Sequence, residues 1–283
     1  MSLGLQNTKR RISSVTTTKK ITKAMEMIAT TKLRTWRERM LLTRAYSDAL
    51  VGIIKKHLSG EEIASHPLFQ VNEEATSTLY IVITSNLGLC GAYNFNIYQK
   101  IAHVVKPEDE IIVFGGRGFR HLRNTGLLVN EKFDDLGTTI NYEEIKRVTT
   151  YLMKAFNEKK FKTVEILYTH FINSMSSVPE TLRLLPLSQD ETKRDDKNTF
   201  GPFIEPTPLE FIAEIAPFYI NNVIYSKLIE SQIAEQSLRR FAMEQASDNA
   251  DELIDELLLQ YNKERQSAIT QEIAEIVGGS NTK

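Results

Sequence analysis

Residues 19–34 read KKITKAMEMIATTKLR. Ala, Met, Glu, Lys, Leu and Arg dominate and neither Gly nor Pro occurs, a composition that predicts helix. Ile21, Met25 and Ile28 lie four and then three residues apart and so share one face, while the remainder is largely basic. Outward from this stretch the helical spacing continues. The first 58 residues hold no Pro and carry Gly only at 4 and 52. Ile12 and Val15 precede the stretch, and Leu33, Trp36 and Met40 follow it. The five-residue step from Ile28 to Leu33 breaks the phase, so the expected supercoil is irregular. Ser59-Gly60 is the expected stop, and His66-Pro67 opens a connection. Such a helix would span roughly 80 Å at 1.5 Å per residue.

The other end of the chain has the same character. From Leu209 to Val277 there is one Pro, Pro217, and no Gly. Pro217 is expected to kink the helix or delay its start. Leu253, Ile254, Leu257, Leu258 and Tyr261 form a stripe, continued by Ile269, Ile273 and Ile276, and Gly278-Gly279 is the expected stop. Globular helices average about 11–12 residues, so two helices of this length most simply pair as an antiparallel coiled coil. Charge supports the pairing. Residues 1–44 hold eleven Lys or Arg against Glu26 and Glu38, a net +9, and residues 230–277 hold four bases against eleven acids, a net −7. The chain of 283 residues nevertheless sums to −1, which excludes a generic polyanion binder.

Between these ends, at about 75–208, the pattern is that of a small α/β sheet domain. Leu79–Thr84, Glu110–Phe114 and Thr163–Tyr168 are apolar, β-rich runs, and the segments near 92–105, 116–124 and 141–158 read as helices. Thr181–Leu187 contains Pro186, which confines it to a sheet edge. Residues 188–202 are polar and expected to form a loop. The expected architecture is therefore α/β: a coiled-coil helix at 1–58, a Rossmann-like domain at 75–208 and a second coiled-coil helix at 209–279. No apolar run approaches the roughly 18 residues of a spanning helix, and MSLGLQNTKRR lacks the apolar core of a secretory signal.

No recognisable active site is assembled by the sequence. Ser85-Asn86-Leu87-Gly88-Leu89-Cys90-Gly91 follows a strand and precedes a helix, but no G-x-x-x-x-G-K-[ST] pattern occurs anywhere. Gly115-Gly116-Arg117-Gly118 lacks the third spaced glycine and the distal acid of a dinucleotide site. Both are expected to be tight strand-to-helix turns. Cys90 is the one cysteine, and the five His are scattered, so neither a zinc site nor a Cys–His pair is expected and Cys90 reads as a buried small hydrophobe. Asp134-Asp135 reads as a solvated loop pair. No cofactor is implied. An α/β nucleotide-binding enzyme with helical arms and a basic coiled-coil adaptor for nucleic acid or anionic lipid both remain open from the residues alone.

Three blocks then carry a resemblance: RRISSVTTTKKITKAMEMIATTKLR at 10–34, SNLGLCGAYN at 85–94 and FAMEQASDNADELIDELLLQYNKERQSAITQEIAEIVGG at 241–279. In order and spacing they resemble the gamma subunit of the F-type ATP synthase over essentially the whole chain. That resemblance implies a non-catalytic rotor shaft, its coiled coil turning inside a ring of three alpha and three beta subunits and its base docked on the epsilon subunit and the membrane c-ring. It also implies a peripheral complex on the cytoplasmic face of a bacterial inner membrane, or its mitochondrial or plastid equivalent. By the same resemblance, Arg239, Gln266 and Thr270 match positions that contact acidic catch loops of the ring. Met25 matches a coupling-sensitive position, and Ile273, Ile276 and Val277 match a tip that turns in an apolar sleeve. The family usually carries an Asp and a basic residue before GLCG, where this chain has Asn86 and Leu87, and 188–205 holds no cysteine pair. These departures leave open a gamma-like paralogue with a different stator or membrane partner.

Overall fold

A computed structural model of the chain describes residues 3–57, 66–133, 140–187 and 207–280. The Ser59-Gly60 stop, the Asp134-Asp135 pair and the 188–202 stretch lie outside these residues. Helix α1 runs over Leu3–His57. Then come β1 (Thr78–Ile83), α2 (Tyr93–Val104), β2 (Glu110–Phe114), α3 (Gly116–Leu122), β3 (Leu128–Val129), α4 (Tyr142–Asn157), β4 (Thr163–Phe171) and β5 (Ser177–Leu185). The chain ends in α5, Pro208–Ser280.

The five strands form one sheet in the order β3-β2-β1-β4-β5, with β5 antiparallel to β4 and the other pairs parallel. This is the order of a doubly wound, Rossmann-like sheet with an antiparallel edge. The pleat sends alternate residues to opposite faces. Leu79, Ile81 and Ile83 of β1 join a core with Ile145, Val148 and Leu152 of α4 and with Ile212, Ala216, Ile220, Ile224 and Leu228 of α5. Tyr80 and Val82 join a core on the other face with Ile97 and Ile101 of α2 and Leu122 of α3. The edge strand expected at 181–187 lies at the edge, but it starts at Ser177 and stops before Pro186.

Local chemistry sets the helix starts. The Asn141 side chain accepts a bond from the Glu143 amide at 3.1 Å and caps α4. For α5, the Glu210 amide donates to Thr207 Oγ1 at 3.2 Å, Thr207 donates to the Glu210 carboxylate at 3.0 Å, and Pro208 takes the first helical position. The helix therefore begins before Pro217 rather than at it: capping starts it, and Ile212, Ala216 and Ile220 anchor it on both sides of the missing amide. At the far end α5 also runs through Gly278-Gly279 to Ser280, past the expected stop.

The chain divides into two compact units, Met1–Thr31 with Arg239–Lys283, and Lys32–Leu238. In the first, α1 and α5 pair antiparallel. Thr8 Oγ1 donates to Glu264 at 3.0 Å, Lys19 bridges Asp251, and the hydroxyls of Thr22 and Ser247 meet at 2.7 Å. The face that packs is only in part the one hydropathy selects: Ile12, Val15, Ile254, Leu257 and Tyr261 lie on it, and other expected positions do not. Ile21 and Ile28 are each 56% exposed, Met25 is half-buried, and Leu253, Leu258 and Ile269 are exposed. The covered positions of α1 are Leu5, Thr8, Ile12, Val15, Lys19, Thr22, Glu26 and Ala29, in alternating three- and four-residue steps. Those of α5 are Met243, Ser247, Ala250, Ile254, Leu257, Tyr261, Glu264 and Ala268, in the same steps. This is a regular heptad seam, without the phase slip expected from the apolar residues. It escapes a hydropathy pattern because small and amphipathic residues fill half of it. Ala and Ser let the backbones approach, and Lys19 covers the seam with its methylene stem. Charge complementarity acts both between and within the helices: Lys19 bridges Asp251 across the pair, while Lys23 and Arg34 meet Glu26 and Glu38 of their own helix, at 2.9 Å and 3.1 Å.

At the N-terminal end of β2, burial pushes the Glu110 carboxyl up, but bonds from Lys160, Tyr151 and Asn130 outweigh it and hold the group below the ordinary carboxylate value. A lowered carboxylate stabilises the fold above its unfolded value and loses that contribution as pH falls through the folded value. Two outcomes follow from these contacts. Ala29→Leu, at a position with 0% exposure, lowers stability by about 1–3 kcal/mol through overpacking, whereas Ile28→Gln changes it by less than about 0.5 kcal/mol; denaturant melts compare them. Glu110→Gln costs about 1–3 kcal/mol at neutral pH, and urea melts at successively lower pH find the gap to the parent closing below about pH 4.5.

Candidate functional site

Ligands of doubly wound sheets bind beyond the carboxyl ends of the strands, at the switch point where the connections diverge, here between β1 and β4. In this chain that crevice is filled from within. Cys90 and Tyr93 pack there on Ala234 of α5, flanked by Phe171 and Leu238. Ser231, Ala234 and Ser237 sit three residues apart on α5, and all three are buried. Their small side chains bring the helix close: the Thr169 amide donates to Ser231 Oγ at 3.2 Å, and Ser237 Oγ donates to the Ser174 carbonyl at 2.9 Å. Burial, with the charge of Glu235 adding to it, pushes the Tyr93 hydroxyl far above its ordinary value, so it stays protonated. Cys90 is buried, as a small hydrophobe would be.

The two glycine turns above the crevice are tied to each other. A phosphate-binding turn needs backbone amides aimed outward at an anion. Here the Gly116 amide donates to Asn86 Oδ1 at 2.9 Å, the Arg117 amide to the Ser85 carbonyl at 3.1 Å, and the Gly118 amide to Thr84 Oγ1 at 3.1 Å. These donors are spent inside the chain. Gly115, at φ 109°, and Gly118 are required by the close approach of Thr84, which would meet a Cβ at either position at 2.3 Å. Asn86 keeps an acceptor on the turn without a charge. The Arg117 guanidinium lies over Gly88, 3.0 Å from where a Cβ would stand, and Leu87 and Leu89 flank it exposed.

An open cavity of about 450 Å³ beside α4 is lined by Lys132, Phe133, Glu143, Lys146, Arg147 and Thr150, none of them from the turns. Among the described residues no group of three or more His, Cys, Asp or Glu is placed to hold a metal ion, and no helix is long and apolar enough to cross a membrane.

The residues singled out by resemblance lie along α1 and α5 in the unit that pairs them. Gln266 and Thr270 are exposed on successive turns, and Thr270 Oγ1 donates back to the Gln266 carbonyl at 2.9 Å. Ile273, Ile276 and Val277 are exposed apolar residues at the end of α5. Met25 is half-buried beside the seam. Arg239 differs from them: it is 6% exposed and already engaged within the chain. Sequence patterns missed the filling of the crevice, although the Ser231, Ala234, Ser237 spacing was the available signal.

Comparison with known proteins agrees with this architecture. The ATP synthase family model matches residues 4–282. The chain is 34% identical over 285 residues to the ATP synthase gamma chain of Heliobacterium modesticaldum, covering 98% of each. It is 35% identical over 299 residues to the sodium ion specific ATP synthase gamma chain of Acetobacterium woodii, covering 99% of each. Its fold is similar to that of a chain in the OSCP/F1/c-ring part of the Euglena gracilis mitochondrial ATP synthase, with a TM-score of 0.66 and 18% identity over 98% of this chain and 94% of that one. Long paired helices, a sheet whose ligand crevice is closed by its own helix, and identity that extends from end to end place the chain in the ATP synthase gamma-chain family, the central-stalk subunits of F-type ATP synthases.

Proposed function

We propose that the chain acts as a non-catalytic rotor that carries torque between a membrane ion-driven ring and the catalytic alpha and beta subunits. The observation that carries the non-catalytic part is the switch-point crevice, filled by Cys90, Tyr93 and Ala234, beneath a glycine turn whose Gly116, Arg117 and Gly118 amides are satisfied internally. A nucleotide would have to displace both. Nucleotide chemistry then belongs to the ring, and this subunit supplies a surface that differs at each of the three catalytic interfaces. An asymmetric shaft shifts each interface only by the difference in contact energy it offers the open, loose and tight states.

In this reading 1–58 and 209–279 form the shaft and 75–208 the base, which docks on the c-ring and the epsilon subunit. Gln266 and Thr270 offer hydrogen-bonding groups to acidic catch loops of the ring, and their exposure on successive turns supports that role. Arg239, buried in the chain alone, joins them if its guanidinium swings outward, where it offers a carboxylate paired, charge-assisted donors. Met25 tunes coupling from the rim of the seam. Ile273, Ile276 and Val277 present the exposed apolar surface that an apolar sleeve requires. The complex lies peripherally on the membrane, with this subunit on the cytoplasmic side of a bacterial inner membrane.

Copurification tests the assignment: tagged chain brings down alpha and beta subunits in stoichiometric amounts, and a tagged chain recovered alone defeats it. Isothermal titration of the isolated chain with ATP gives no binding in the micromolar range; saturable heat there would overturn the non-catalytic reading. Gln266→Ala combined with Arg239→Ala lowers ATP turnover of the assembled complex by about tenfold, the equivalent of one charge-assisted contact, while assembly survives. Unchanged turnover would remove these residues from the catch-loop contact.

A further inference from the structure

Where α5 crosses the end of β4, its packing changes from apolar to polar. Up to Leu228 the helix meets the sheet with the Ile212, Ala216, Ile220, Ile224, Leu228 row, one residue in four. The next turn brings charge. Lys227 Nζ donates to Tyr168 Oη at 3.0 Å and to Glu230 Oε2 at 2.9 Å, and lies 4.2 Å from the centre of the Tyr168 ring. The Tyr168 hydroxyl in turn donates to Glu180 Oε2 of β5 at 2.9 Å. The other oxygen of Glu230 meets His170 Nδ1 and accepts from the Phe171 amide at 3.4 Å. Ser231 accepts from the Thr169 amide. Four consecutive residues of β4, 168–171, are thus bonded to three residues within one turn and a half of α5.

We infer that this Lys227–Glu230 pair, held by Tyr168, His170 and Glu180, is the joint that fixes the rotational setting of α5 on the sheet and carries torque across that contact. Apolar packing is non-directional and resists sliding or rolling of a helix weakly. Charge-assisted hydrogen bonds have a fixed geometry and lose their energy over a small rotation. Glu230 is buried, so breaking its bonds leaves a charge without compensation rather than one that water can solvate. Burial pushes the Lys227 ammonium down, yet Tyr168 and Glu230 outweigh it and hold it above its ordinary value, so the cation persists at any working pH. The nearby seam of Leu33, Ile229 and Ile233 with Trp36 is apolar.

The inference rests on the rotor reading, and the two fail separately. In the assembled ATP synthase reconstituted in vesicles, Glu230→Gln and Tyr168→Phe are compared with the parent for ATP hydrolysis and for ATP-driven ion uptake. Tyr168→Phe removes one hydroxyl and leaves the ring in its core, so it reports even where Glu230→Gln assembles poorly. A slipping joint leaves hydrolysis per complex within about twofold of the parent while ions moved per ATP fall about threefold or more, and Glu230→Asp, which keeps the charge, recovers most of the ratio. A variant that is merely less stable lowers both rates together through the amount of complex. An unchanged ratio in assembled Tyr168→Phe, or an equal loss of both activities per complex, overturns the joint. Failure of the parent chain to enter the complex would instead overturn the rotor reading itself.

Discussion

A parallel sheet must be covered on both faces, because its strands carry apolar side chains to each side and its ladder leaves neither face for water. Here one face is covered by α2 and α3, and the other by α4 together with the first half of α5. Ile212, Ala216, Ile220, Ile224 and Leu228 are essentially removed from solvent against β1 and β4. Each of the large side chains in that row contributes about 1.5–3 kcal/mol of transfer free energy. The sheet is therefore incomplete without a segment, Ile212–Leu228, that lies beyond its last strand in the chain, and α5 contributes residues to both compact units. Everything else in the Lys32–Leu238 unit is arranged around that shared element: the closed crevice, the spent turn amides and the polar joint.

The elements of this fold are legible in the sequence, and their contacts much less so. Runs such as Glu110–Phe114 are apolar and β-rich because they are buried on both faces; β1 and β2 lie within a residue of where they were expected, and β4 starts as expected but continues to Phe171. The long helices show themselves through the scarcity of Gly and Pro over more than fifty residues at each end. The seam does not, because hydropathy ranks Ile28 above Ala29 whereas packing between close backbones selects the smaller residue. Gly278-Gly279 misled in the opposite sense: a glycine pair lowers helix propensity but does not by itself end a helix whose ladder is already formed. Of the sites, the turn at Ser85–Gly91 and the buried Cys90 could be anticipated. The crevice filled by Ala234 is signalled only by the small-residue spacing of Ser231, Ala234 and Ser237, and its location depends on where a distant helix lands.

Both compact units use the same division of labour between polar and apolar contacts. In the helix pair, the hydroxyls of Thr22 and Ser247 and the Lys19–Asp251 bridge fix the register of a seam whose apolar members would tolerate a shift by one heptad. On the sheet, Lys227 and Glu230 do the same for α5. In neither place is the polar contact a large source of stability, since exposed pairs contribute about 0–1 kcal/mol and buried ones spend most of their attraction on desolvation. Their contribution is to make one alignment better than its neighbours, which a part that bears load needs more than it needs a deeper minimum.

The closed crevice bears on how such a sheet can be used at all. A fold whose common talent is to hold a small molecule at its switch point here holds residues 231–238 of its own chain. A tethered occupant is present at an effective concentration that no freely diffusing metabolite matches, and it cannot leave by dilution. The switch-point crevice is thereby occupied by the chain itself, whatever small molecules surround it. It behaves as a receptor permanently saturated with one ligand, and because that ligand is a helix, occupancy has become a mechanical attachment.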